Sequence, residues 1–130
     1  METNKTTLYS SCLMLYIAKV DETIDKEEIN IIKEILIDYF KINEQNATNI
    51  ITLSLKSLEQ STDIFQYANF INEDLNYNDK LDLVKCIFEV GYADKKMHYL
   101  ELHYIKKIAN LLNLEKQDII EANLEIKKYI

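Results

Sequence analysis

The chain holds one glycine, Gly91, and no proline in 130 residues, where average usage would supply roughly nine and six. Strands joined by tight hairpins draw on both residues at their turns. A sandwich, a barrel or a glycine-rich phosphate loop is therefore strongly disfavoured. Arginine is missing altogether: fifteen lysines face 22 acids, for a formal charge of −7. Without guanidinium groups the chain lacks the usual bidentate reader of phosphate and guanine, and its net charge opposes the counterion release that drives nucleic-acid binding. Nucleic acid is not expected as a partner. No apolar run approaches the about 18 residues that suggest a membrane span. Met1-Glu2-Thr3-Asn4-Lys5 lacks the basic region, apolar core and small-residue cleavage site of a secretory signal. The two cysteines, Cys12 and Cys86, lie far apart in apolar stretches and outside any CxxC or Cys/His pattern. They read as buried thiols suited to a reducing cytosol, so the expected location is cytoplasmic.

What is present is helix. Hydrophobic residues make up 48% of the chain, too many for disorder, and the length suits one domain spanning 1–130. Periodicity predicts seven helices, over about 6–20, 26–40, 44–58, 62–73, 78–93, 99–112 and 115–129. The first (Leu8, Cys12, Leu13, Leu15, Ile17, Val20) and the fifth (Leu81, Leu83, Val84, Ile87, Phe88, Val90) are apolar nearly all round, which marks central helices. The second carries Ile29, Ile32, Ile35, Leu36 and Tyr39 on one face. The fourth presents Phe65, Ala68 and Ile71, with Ile64 and Tyr67 alongside. The expected fold is all-α, a compact bundle of about seven helices.

An internal repeat organises this pattern. Sliding residues 11–36 by 73 positions sets Asp21 on Asp94, Glu28 on Glu101, Ile32 on Ile105, Lys33 on Lys106 and Ile35 on Ile108. Each copy reads as an apolar helix, an Asp, a spaced aliphatic residue (Ile24 or Met97), a Glu seven residues after the Asp, and an apolar-faced helix. Two such hairpins could pack their central helices about a pseudo-two-fold axis.

The two corners carry a resemblance. Lys19-Val20-Asp21-Glu22-Thr23-Ile24-Asp25-Lys26-Glu27-Glu28 resembles the first signature of the tellurite-resistance TerB family. Leu83 to Leu114, containing Ala93-Asp94-Lys95-Lys96-Met97-His98-Tyr99-Leu100-Glu101, resembles the second. The resemblance covers about 10–120 and rests on the pairing of the motifs. It implies a compact bundle of about seven helices and a cytosolic or membrane-proximal role in stress and tellurite response, with cations at acidic corners. Some relatives are parts of larger proteins in which the domain serves association. This chain has Glu22 and Lys95 where the family usually has glycine, and a Cβ at a left-handed corner costs about 1 kcal/mol or more.

The corner acids admit two readings. In the first, Asp25 is an N-cap and Glu28 its N3 partner in a variant capping box, stabilising by about 0.5–2 kcal/mol. Asp21, Glu22 and Asp94 are left over at predicted helix C-termini, where the macrodipole disfavours anions by roughly 0.3–1 kcal/mol. The second reading compensates them with a hard divalent cation of the Ca or Mg class, held by Asp21, Asp25 and Glu28 or shared between corners. An EF-hand is excluded: counting back from Glu28 as the twelfth ligand puts Glu22 at the glycine position and Ile17 and Lys19 at the first and third. At the second corner Asp94, His98 and Glu101 could take a borderline transition metal, and a plain surface histidine is the alternative.

No nucleophile stands beside a general base, and the paired Glu-x-x-His and His-Glu-x-x-His metal motifs are missing. The expected function is non-enzymatic: a module of a stress-response or membrane-associated assembly that binds divalent cations, or else an interaction domain without an ion site. A protein partner is expected. Residues 21–44 and 58–82 each carry net −5, and residues 94–114 carry net +2, so a weak charge-steered homodimer is a further expectation.

Overall fold

The structure, a computed structural model, describes residues 3–20, 24–60 and 63–129. Among the described residues it is all-helical, with α1 (Thr3–Ala18), α2 (Lys26–Asp38), α3 (Glu44–Gln60), α4 (Ile64–Asp74), α5 (Tyr77–Gly91), α6 (Tyr99–Leu111) and α7 (Lys116–Lys127). The start signals are side-chain caps. Asp63 accepts the Phe65 amide at 3.0 Å at the head of α4, and Asn76 accepts the Asp79 amide at 2.8 Å at the head of α5; each satisfies a donor that the first helical turn leaves open.

Helix α1 is the centre of the bundle. It packs most extensively on α3 and α4 and also touches α5, α2 and α6. Cys12, Leu13, Met14, Leu15, Ile17 and Ala18 are all fully buried, as an all-round apolar helix requires. Helix α5 lies against α1, α2, α6 and α7 and buries Val84, Ile87, Phe88 and Val90 completely. Both cysteines are free and buried. Burial, then Glu89 and Asp82, push the Cys86 thiol up to about 12, which leaves it unreactive as a nucleophile.

Two faces differ from the sequence reading. On α4 the buried stripe is Ile64, Tyr67, Ala68 and Ile71, and Phe65 is turned outward at 54% exposure. Four positions at i, i+3, i+4 and i+7 already fill one helical face, and Phe65 falls off it. On α2 the buried stripe is Glu28, Ile32, Ile35 and Leu36. A glutamate heads it, and Tyr39 lies at the rim, 41% exposed.

The scarcity of glycine shows at the helix ends. Lys41, Lys95 and Asn113 hold the left-handed positions, with φ of 62°, 69° and 62°. At the end of α6 the Leu114 amide donates to Ala109 at 3.3 Å and the Asn113 amide to Asn110 at 3.0 Å, the paired bonds of a Schellman close. Gly91 is not at such a turn. It ends α5 where a Cβ would sit 2.7 Å from Met97 Cε and 3.0 Å from Ile105 Cδ1, so its bare backbone lets the following corner fold onto the helix. Lys95→Gly should raise stability by about 1 kcal/mol, because the exposed side chain contributes nothing that offsets the left-handed strain. A thermal melt in which the variant is no more stable than the parent would show that this strain is absent.

Candidate functional site at the two acidic corners

Both corners are capping boxes. The Asp25 amide donates to Glu28 Oε1 at 3.0 Å, and the Asp25 side chain faces the Glu28 amide in return. At the second corner the His98 amide donates to Glu101 Oε1 at 3.2 Å, and His98 Nδ1 accepts the Leu100 amide at 3.2 Å. Positions 73 apart in the chain therefore do the same local job: each glutamate satisfies an orphan amide of its own helix.

The glutamates also do something that caps do not require. Glu28 is 5% and Glu101 3% exposed, and their carboxyl groups lie against each other, close enough for Glu101 to raise Glu28. Two carboxylates cannot hydrogen-bond to each other unless one carries a proton. Burial is the main cause that raises Glu28, to about 8; the Glu101 hydrogen bond adds to it, the Asp25 amide opposes it, and the charges of Glu101 and Asp25 raise it further. The N-termini of α2 and α6 favour negative charge here, but burial and mutual repulsion outweigh them. Burial and Glu101 thus both favour the protonated form of Glu28, the direction in which the pair would share a proton.

The remaining predicted site residues are arranged differently. Asp25 is exposed at the mouth of the pair. Asp94 is exposed, and its Oδ1 accepts the Lys96 amide at 3.0 Å, closing the turn. His98 stacks on Tyr99, with ring centroids 5.1 Å apart. No group of three or more His, Cys, Asp or Glu side chains among the described residues is placed to hold a metal ion. Asp21 and Glu22 lie outside the described residues. Of the six predicted residues, the structure joins Glu28 directly to Glu101.

That contact had a sequence signal that motif spacing missed. Glu28 stands four residues before Ile32, and Glu101 four before Ile105, so each glutamate lies on the core stripe of its helix. An acid on an apolar stripe is buried and must find a partner. The repeat supplies two of them.

A family comparison adds to these observations: the family described as Tellurite resistance protein TerB matches residues 7–124. The chain belongs to the TerB family. No match was found among curated proteins or among solved structures. The TerB match includes both capping boxes and the Glu28–Glu101 contact. No helix among the described residues is long and apolar enough to cross a membrane.

Proposed function

We propose that this TerB module is a non-enzymatic, cytoplasmic binding module of a stress-response assembly of the tellurite-resistance type, able to associate with a membrane-bound partner. In this reading a divalent cation of the Ca or Mg class competes with the shared proton for the corner glutamates. The observation that carries it is the contact between Glu28 and Glu101. One oxygen of each carboxylate already accepts its own cap amide, and the other is a hard oxygen donor of the kind Ca²⁺ and Mg²⁺ take. Asp25, the N-cap of α2, and Asp21, four residues before it in the sequence, are the candidates to complete such a set. A cation between the carboxylates would remove the repulsion that now demands a proton.

Thermal melts of the metal-free protein at pH 8 with Ca²⁺, Mg²⁺, Mn²⁺ or Zn²⁺ test this. A cation at 100 times its dissociation constant should stabilise the fold by about 2.7 kcal/mol, a rise of several degrees in a domain this size. Glu28→Gln and Glu101→Gln should abolish the rise. Asp25→Ala should cost about 1 kcal/mol with or without metal, because its cap is lost in either case. The capping boxes favour a second reading, an interaction domain whose acids serve only the helices and each other. No melting shift at millimolar concentrations of any of the four cations would leave that reading standing.

A further inference from the structure

The two acidic stretches of the sequence meet in space. Helix α2 packs against α5, and an open groove of about 650 Å³ lies where the C-terminal ends of α2 and α4 face the first turns of α5. Its floor is apolar: Tyr39, Phe40, Leu75 and Leu83. Its acidic rim is Asp74, Asp79 and Asp82, and none of the lining residues is basic. Tyr39 also lines a second hollow that continues between α2 and α5, where Glu34, Asp38 and Glu89 supply the charge over Ile31, Ile35 and Cys86. Among the described residues none of these six acids forms an ion pair; the lysines that do are Lys33 with Glu44 and Lys85 with Glu125. The C-terminal carbonyls of α2 and α4 add negative potential at this end, and the N-termini of α1 and α5, which also line it, oppose them, so the acidic side chains set its sign.

We propose that the α2/α5 furrow is a docking site for a basic amphipathic helix of a partner protein, with its apolar face on Tyr39, Phe40 and Leu75 and its lysines or arginines among the acids. Helix-in-groove recognition seats the apolar face of a helix in a hydrophobic groove, and the two neighbouring hollows, which share Tyr39 as a lining residue, offer such surface along α2 and α5. An acidic rim that lacks internal cations is complementary to a cationic ligand and repels an anionic one. The same field acts on groups inside the furrow. Burial first, then Asp82, Cys86 and Asp79 push the Tyr39 hydroxyl up to about 12, and burial followed by Glu34 raises Glu89. The overall charge of −7 disfavours a second copy as the occupant.

Fluorescence anisotropy with labelled synthetic peptides of about 18 residues, five helical turns, tests the site on the full chain in chelator. The probes are an amphipathic Leu/Lys helix, its Leu/Glu counterpart, and a Lys/Ser peptide of equal charge without an apolar face. The Leu/Lys peptide should bind at least about tenfold more tightly than the Lys/Ser peptide, and the Leu/Glu peptide should not bind. The double variant Asp79→Asn/Asp82→Asn, on exposed and half-exposed sites, should weaken the Leu/Lys complex about tenfold, and Tyr39→Ala should weaken it as well. Glu59→Gln/Glu121→Gln removes the same charge elsewhere and should leave it nearly unchanged. Equal loss in both double variants, or equal binding of Leu/Lys and Lys/Ser peptides, would reduce the effect to net charge and overturn the proposal. Sedimentation showing a dimer that Asp79→Asn/Asp82→Asn dissolves would make a second copy the occupant and overturn it too. Because metal is excluded throughout, neither result bears on the cation reading.

Discussion

Replacing Phe88 by alanine should cost about 3–5 kcal/mol of folding stability, and Leu15→Ala about 2–5 kcal/mol. Both side chains are completely buried, on the two helices that touch most of the others. Each truncation loses transfer free energy and leaves a cavity that a close-packed interior fills only in part. Phe65 is the internal control: at 54% exposure, Phe65→Ala should stay within about 0.5–1 kcal/mol. The chain has no tryptophan, so urea unfolding followed by far-ultraviolet circular dichroism is the direct measurement. Losses below about 1 kcal/mol at both Phe88 and Leu15 would remove α1 and α5 from the centre of the core.

The second large effect is a pH dependence with an unusual sign for a carboxylate. The folded-state value of Glu28 is raised from 4.5 to about 8. Above pH 4.5 the unfolded chain releases this proton while the folded chain keeps it, so the native state binds more protons and stability falls with rising pH. The contribution is fully present below about 4.5, declines through the window up to about 8, and is gone above it. The expected loss is on the order of a few kcal/mol, since one pKa unit corresponds to about 1.4 kcal/mol. Glu28→Gln keeps an oxygen for the Asp25 amide and offers Glu101 an N–H donor in place of the shared proton. It should therefore be more stable than the parent at pH 8 and have a flatter melting profile between pH 5 and 8. Parallel profiles for parent and variant would show that Glu28 and Glu101 do not share a proton.

Several helices were legible because they carry their own punctuation. Asp25, Asp63, Asn76 and His98 stand at N-terminal boundaries, and cap chemistry is local to a few residues. The all-round apolar pattern of residues 8–20 and 81–90 was enough to place α1 and α5 inside. Phe65 was less legible, since a short helix with six apolar residues in eight admits two faces, and packing on α1 selects the one through Ile64, Tyr67, Ala68 and Ile71. Lys95 was legible as an anomaly: the expected glycine was missing, and the structure holds the lysine in the left-handed conformation that glycine would have taken.

Sequence alone determined the all-helical class and the TerB signatures and offered the first capping box as one of two readings, because helix propensity, periodicity and caps act over a few residues. Only the tertiary structure decided that Glu28 and Glu101 meet, that His98 and Glu101 form a second capping box, and that the separate acidic stretches line one furrow between α2 and α5. Those outcomes depend on which buried faces pack together. A carboxylate's partner, its protonation and the field around it are set by neighbours far along the chain, and the local pattern does not contain them.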